Sequence, residues 1–327
     1  MLNYIIRRCL YGVLVLLGVN LFTFMLFFTV NTPDDMARLN IGGKRVTQEL
    51  IERWKDERGY AKPLYWNDKE QGADKLTDTI FWERSVSLFT LNFGRADSES
   101  AGDIGHEVAT RMWVSIQLAL PIFLLQVIAS TAFALLLVMF RNTRLDLWGV
   151  VLCVLMLSIS SLFYIIVGQF LFSRVLRLVP ISGYAGGFDA VRFLILPVLL
   201  SALARLGTES RLYRAMFLEE IGKDYVRTAR AKGLSETVVM FRHVLRNALI
   251  PIITSAGSYL PYVFLGSLVF ESFFGIPGLG AYAIEAISKQ DFAIVRTMVF
   301  VGSLLAITSY ILIDIAYTWV DPRVRLS

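Results

Sequence analysis

The chain has 327 residues, 55% of them hydrophobic and 18% charged, with a formal net charge of +5 and a mean hydropathy of +0.58. Soluble domains average roughly 45–50% apolar and about 25% charged residues. Here the apolar excess is gathered into long uncharged runs, which excludes a soluble enzyme. Cys9 and Cys153 both fall in such runs, so no disulfide framework is implied.

Cys9–Val30 is 22 residues without a charge, enough for a helix across a bilayer core of about 30 Å at about 1.5 Å per residue. Arg7 and Arg8 precede it, as basic residues precede a signal peptide. The run nevertheless has full span length and Val30-Asn31-Thr32-Pro33 is a poor cleavage site, so a retained helix is expected. The segment from Asn31 to Met112 then carries 12 Lys/Arg against 15 Asp/Glu. Within it Leu50, Ile51 and Trp54 recur at helical spacing, which predicts a helix over Gln48–Arg58 with Gly59 as its C-cap. About 80 residues can form a small external subdomain that packs on the membrane part.

Met112–Phe140 (29 residues), Leu147–Ser173 (27), Ala248–Phe270 (23) and Thr297–Ile313 (17) are further uncharged runs. A sixth span is expected at Phe193–Ala204. Its 12 uncharged residues suffice only if the helix continues through Arg205, Glu209 and Arg211 with the arginine stems snorkelling. Arg205 and Glu209, four apart, can then pair on one face. Arg7, Arg8, Arg141, Arg144, Arg323 and Arg325 lie on one side of this arrangement. So does Glu209–Asn247, with eight Lys/Arg against five Asp/Glu. The lysine and arginine bias makes that side cytoplasmic, although Arg174, Arg177 and Arg192 fall opposite. The expected protein is therefore all-α and polytopic, with six transmembrane helices and both termini in the cytoplasm. Its parts are an N-terminal region with the first helix (1–30), an external insertion (31–111) and a membrane core (112–327) holding a cytoplasmic loop at 209–247. Topology accounts for the basic excess, so no nucleic-acid partner is implied.

Chemistry-bearing patterns are scarce. His106 and His243 have no metal-ligand spacing around them. Gly42-Gly43-Lys44-Arg45 lacks both the earlier glycine and the following hydroxyl of a phosphate loop. The external Phe273–Gly280, FFGIPGLG, does not fit dinucleotide spacing; Gly275, Pro277, Gly278 and Gly280 predict a tight turn there. No catalytic set and no metal site are expected. Mid-span positions hold no Asp, Glu, Lys, Arg or His, whereas an ion-coupled carrier places an ionisable group at that depth. Energy for transport would then come from outside the lipid.

Glu219–Pro251 reads EEIGKDYVRTARAKGLSETVVMFRHVLRNALIP. A helix is expected over about Asp224–Lys232, with an acid in its first turn, Arg230 and Lys232 in its last, and Gly233 as C-cap. Ser235 is placed to cap a following helix. Val226, Ala229 and Gly233 share a face, with Ala231 keeping the neighbouring surface small.

DYVRTARAKGL followed by RHVLRNALIP resembles the cytoplasmic loop of bacterial ABC importer permeases of the dipeptide, oligopeptide and nickel family, B-type subunit. The wider pattern is Glu-Ala-Ala, three residues, Gly, nine residues, then Ile-x-Leu-Pro. Aligned on Gly233, the chain has Arg227-Thr228-Ala229 and His243-Val244-Leu245-Arg246, departing at the Glu and the Pro as the peptide subfamily does. Arg58-Gly59-Tyr60-Ala61-Lys62-Pro63-Leu64 and Leu91-Asn92-Phe93-Gly94 are similar to two external elements of the family, the second with Asn for the usual Asp. Val179–Gly183, Ile195-Leu196-Pro197, Pro277–Gly280 and Asp321-Pro322-Arg323 also fit. Trp113 and Ala293 stand where Pro is common.

The resemblance implies a type I importer fold in the bacterial inner membrane. It also implies a second homologous permease, two ABC ATPase subunits and an external solute-binding protein, besides membrane lipid. ATP and magnesium would sit on the ATPases, leaving this chain without a cofactor or an ATPase site. Asp224, Tyr225, Val226, Arg227, Thr228, Ala229, Arg230, Ala231, Lys232, Gly233 and Leu234 would be the coupling helix that docks into an ATPase. Ala229 and Gly233 would give close approach there, and Arg227, Arg230 and Lys232 polar contacts. Peptides are the commonest cargo in the family; nickel chelates, siderophores and peptide antibiotics enter through relatives. A secondary carrier or a membrane scaffold is the alternative from another class.

Overall fold

The computed structural model describes residues 2–42, 46–98 and 102–320. Gly43, Lys44 and Arg45 of the glycine-lysine segment, and Asp321, Pro322, Arg323 and Arg325, lie outside the described residues. Among the described residues the main helices are α1 (Leu2–Val30), α2 (Pro33–Ile41), α3 (Gln48–Arg58), α4 (Ile104–Met139), α5 (Arg144–Ser158), α6 (Ser161–Val175), α7 (Ala190–Ile221), α8 (Asp224–Ala231), α9 (Glu236–Gly257), α10 (Leu260–Leu265), α11 (Leu268–Phe274), α12 (Leu279–Ser288) and α13 (Phe292–Val320). Among the described residues β-pairing is limited to one bridge, Arg95 to Asp103.

Among the described residues four helices are long and apolar enough to cross a membrane: α1, α4, α7 and α13. The other two apolar runs are broken. α5 and α6 meet at 91°, and α9 meets the α10–α11 pair at 45°. The first break is a correction to the single straight span expected over Leu147–Ser173. Ile159 and Ser160 are extended, with φ/ψ of −91/128° and −67/148°. Ser158 turns its hydroxyl back to the Val154 carbonyl at 2.9 Å, the local competition with the helix ladder that serine offers. At the second break Pro261 opens α10, where its missing N–H costs no hydrogen bond. The expected extension of the weakest span is present: α7 runs unbroken through Arg205, Glu209 and Arg211.

The chain divides into two compact units, one of residues up to Trp113 with Leu279–Ile311, the other of Val114–Gly278 with the stretch from Leu312. In the first, the segment after α1 folds on a core of Phe24, Phe28, Met36, Ala37, Ile51, Trp54, Tyr60 and Ile80. Thr32 and Asp35 form a capping box that starts α2. α3 ends at Gly59 with φ +71°, as its position after Arg58 requires. Trp54 and Tyr60 stack at 5.4 Å, with Arg58 over the first ring and Arg84 over the second.

In the second unit α5 lies against α7. Gly207 admits the Cys153 carbonyl, which a Cβ there would meet at 2.5 Å. Arg214 grips the buried Asp146 with two hydrogen bonds, of 2.9 and 2.8 Å. Such a bidentate charged pair fixes both register and distance.

Candidate functional site

The segment between α7 and α9 is built from the inside out. Tyr213, Phe217 and Ile221 on α7 and Val239, Met240, Val244 and Ala248 on α9 form one buried cluster, and α8 drops Val226 and Ala229 into it. Apolar residues three apart on a helix share a face, so an eight-residue helix too short to be stable alone is held by its inner side. Its N-terminal end is anchored as well. Tyr225 Oη donates to Glu220 Oε2 at 2.5 Å, and Lys223 pairs with the other oxygen of that carboxylate. In its last turn Arg230 makes a bidentate contact with Glu236 beyond the helix, at 3.0 and 2.6 Å.

What remains outside is a small polar surface: Asp224, Arg227, Thr228, Ala231, Lys232, Gly233 and Leu234 are exposed. Asp224 pairs across one turn with Arg227 at 3.4 Å and sits at the positive end of the helix dipole. Gly233 has φ +78°, and a Cβ there would meet nothing within 4 Å. Three expectations need correction. Val226 and Ala229 face the chain's own core, at 0% and 4% exposure, because their spacing matches the apolar faces of α7 and α9; the small residue on the outer side is Ala231. Ser235 occupies the position before α9, yet its side chain makes no capping bond. The expected pair of Arg205 and Glu209 is also absent among the described ion pairs; the Arg205 guanidinium lies over the Tyr259 ring, 4.8 Å from its centre.

The glycine-rich turn forms as its residues predict. Gly275 ends α11 with φ +63°, and the Gly278 N–H reaches the Ile276 carbonyl at 2.8 Å. Pro277 is exposed, and Gly280 is buried in α12. No local signal announced what the turn encloses. Glu271 is fully buried, with Ser115 donating to it at 2.8 Å and the Ser267 N–H at 3.3 Å. A Cβ at Gly278 would fall 2.4 Å from the Glu271 carboxylate, and one at Gly266 closer still. The same unit brings Val179–Gly183 to this turn: the Gly183 N–H donates to the Phe274 carbonyl at 2.7 Å, and Gln169 bridges the Ile181 and Phe273 carbonyls at 3.0 and 3.2 Å.

In the other unit the Arg58–Leu64 element singled out in the sequence reaches a buried charge cluster. The Tyr60 hydroxyl donates to Asp97 at 3.0 Å, Arg58 holds the Asp97 carbonyl at 2.9 Å, and Arg296 is buried nearby. Asp291 accepts the N–H groups of Asp97, Ser98 and Ile294 at 3.2, 2.9 and 3.1 Å. Burial raises the Asp97 carboxyl above its ordinary range, with the Asp291 charge adding to the rise and Arg84 opposing it. Burial and the Asp97 charge also push the Tyr60 hydroxyl up. Asn92 keeps the turn that the family builds with Asp: its Oδ1 accepts the Gly94 N–H at 3.3 Å.

Comparison with known proteins places this arrangement. Residues 126–326 match the family of binding-protein-dependent transport system inner membrane components, and residues 1–84 match that family's N-terminal region. A Brucella abortus (strain 2308) chain, provisionally named a peptide transport system permease, is 33% identical over 326 residues covering 98% of both chains. The glutathione transport system permease GsiC of Shigella flexneri is 30% identical over 328 residues, and that of Escherichia coli (strain K12) 29% over 325, each with 99% coverage of both chains. The chain belongs to the binding-protein-dependent transport system inner membrane components, the multi-pass permeases of ABC importers that work with ATPase and solute-binding partners.

Proposed function

We propose that this permease carries peptides or peptide-like solutes from the periplasm to the cytoplasm, and that α8 is the coupling helix through which ATP hydrolysis on a partner drives it. The cargo follows from the relatives, whose names specify peptide and glutathione transport. The single observation that supports the mechanism is the two-sidedness of α8. Its inner face is welded to α7 and α9 through Val226 and Ala229, and its outer face is small and polar.

An ATPase groove that closes on the outer face moves α8 as a rigid body, and the shared core passes the displacement to two long helices. Closure then biases the helices between inward- and outward-facing arrangements, a two-state change whose size is set by the differential contact energy. In this reading six spans leave both termini cytoplasmic. A second homologous permease completes the path, and two ATPases hold the ATP and magnesium. The chain itself has no ATPase site and no cofactor.

The outer surface is tested in the assembled complex in proteoliposomes. Ala231→Trp adds bulk with no change of backbone strain, and is expected to abolish binding-protein-stimulated ATP hydrolysis and peptide uptake. Gly233→Ala adds only the strain of a left-handed residue, about 1–2 kcal/mol, and is expected to retain most of both. Coupling undiminished in Ala231→Trp would contradict the docking role.

A further inference from the structure

Within the second unit α4, α7 and the α9–α11 region surround an open cavity of about 530 Å³, inside the roughly 300–1,000 Å³ range of pockets that hold small organic ligands. Most of its wall is apolar, from Leu118, Ile122, Phe123, Val263 and Phe270. The polar exceptions converge: Gln126 and Ser201 are 6% and 5% exposed and line the cavity, and the Ser201 hydroxyl has no hydrogen-bond partner. Arg205, one turn beyond Ser201, also lines it, with its guanidinium held over the Tyr259 ring at 4.8 Å. Glu209, a further turn on, is 1% exposed and takes no part in the lining.

A buried hydroxyl without a partner costs about 1–3 kcal/mol, and a guanidinium set against an apolar wall gives up part of its hydration. Both costs are relieved if the cavity is wetted and receives a polar solute. Guanidinium is the side chain suited to a carboxylate, giving two parallel charge-assisted bonds, and an aromatic ring beneath it holds the fork in place.

We infer that this cavity is a transient binding station on the solute path, where Arg205 takes the terminal carboxylate of a short peptide and Ser201 and Gln126 contact its amide groups. The apolar wall fits side chains by shape alone, so the station selects for a free carboxylate and not for sequence. The inference rests on the peptide-import reading and adds a site to it.

The test is equilibrium binding of radiolabelled trialanine to the assembled complex in detergent without its binding protein, beside ATP-driven uptake with it. Arg205→Gln is expected to weaken binding by about tenfold or more, the loss of one charged hydrogen-bonded pair, while Arg205→Lys retains part of the affinity. N-acetyl-trialanine should compete and trialanine amide should not. Equal competition by the amide, unchanged affinity in Arg205→Gln, or no binding to the wild-type complex would overturn the station even if uptake proceeds. Separation of the two permeases in Arg205→Gln would also overturn it, by making the cavity a subunit seam. A wild-type complex that imports no peptide refutes the functional reading instead.

Discussion

At Ala293 the chain departs from the Asp-Phe-Pro order common in its family, and the departure supplies a hydrogen bond. The Ala293 N–H, which proline would lack, donates to Asp97 Oδ2 at 3.0 Å. Asp291 caps the start of α13 two residues earlier and holds the backbone of Asp97 and Ser98. Such a pairing, 194 positions apart in the chain, has no local signal; the sequence shows the individual elements and not their meeting. The buried carboxyl gives the corner a pH dependence. Its folded pKa lies above the ordinary 3.8, so the native state keeps the proton to higher pH than the unfolded chain does. The contribution of Asp97 to stability is therefore greatest at low pH and declines as pH rises from near 3.8 through the folded value. Thermal unfolding of the purified complex across that window should show Asp97→Asn with a flatter profile than the wild type; parallel profiles would mean that Asp97 does not titrate there.

At the scale of elements, hydropathy and spacing reveal where helices stand but not where they bend. α3 and its Gly59 cap follow directly from the placement of Leu50, Ile51 and Trp54. The extension of α7 past Arg205 follows from the length a bilayer demands. The 91° break between α5 and α6 does not, because Ser158-Ile159-Ser160-Ser161 sits in an uninterrupted uncharged run and hydropathy registers no change there. The inner and outer faces of α8 are likewise only half legible: Val226 and Ala229 share a buried face as their spacing implies, but which side they take depends on α7 and α9, and Gly233, grouped with them in the sequence, is exposed past the helix end. The glycine-rich turn illustrates the same limit. Its glycines announce a turn, whereas the need for glycine at Gly278 comes from Glu271, packed where any Cβ there would fall. Gly278→Ala should cost about 1–3 kcal/mol through overpacking, seen as a lower unfolding midpoint. Since Gly278 has no left-handed φ, an unchanged midpoint would show that Glu271 can move aside freely.

For the whole molecule, family membership points to driving energy that arrives from a neighbouring subunit. The structure adds a short helix with its inner side fused to the ends of two long ones, the element proposed here as the lever. The cavity beside Arg205 supplies a place for the moving solute, and it escaped the sequence because Gln126, Ser201, Arg205 and Tyr259 come from three separate segments. The central claim is that the outer face of α8 seats in an ATPase. The most direct measurement places a photocrosslinking p-benzoylphenylalanine at Thr228, exposed on that face, and at Leu91, exposed in the other unit, then irradiates the assembled transporter. An adduct between residue 228 and an ATPase subunit, with none from residue 91, is the predicted result. Absence of any ATPase adduct at 228 in a complex that still hydrolyses ATP on binding-protein addition would contradict the account.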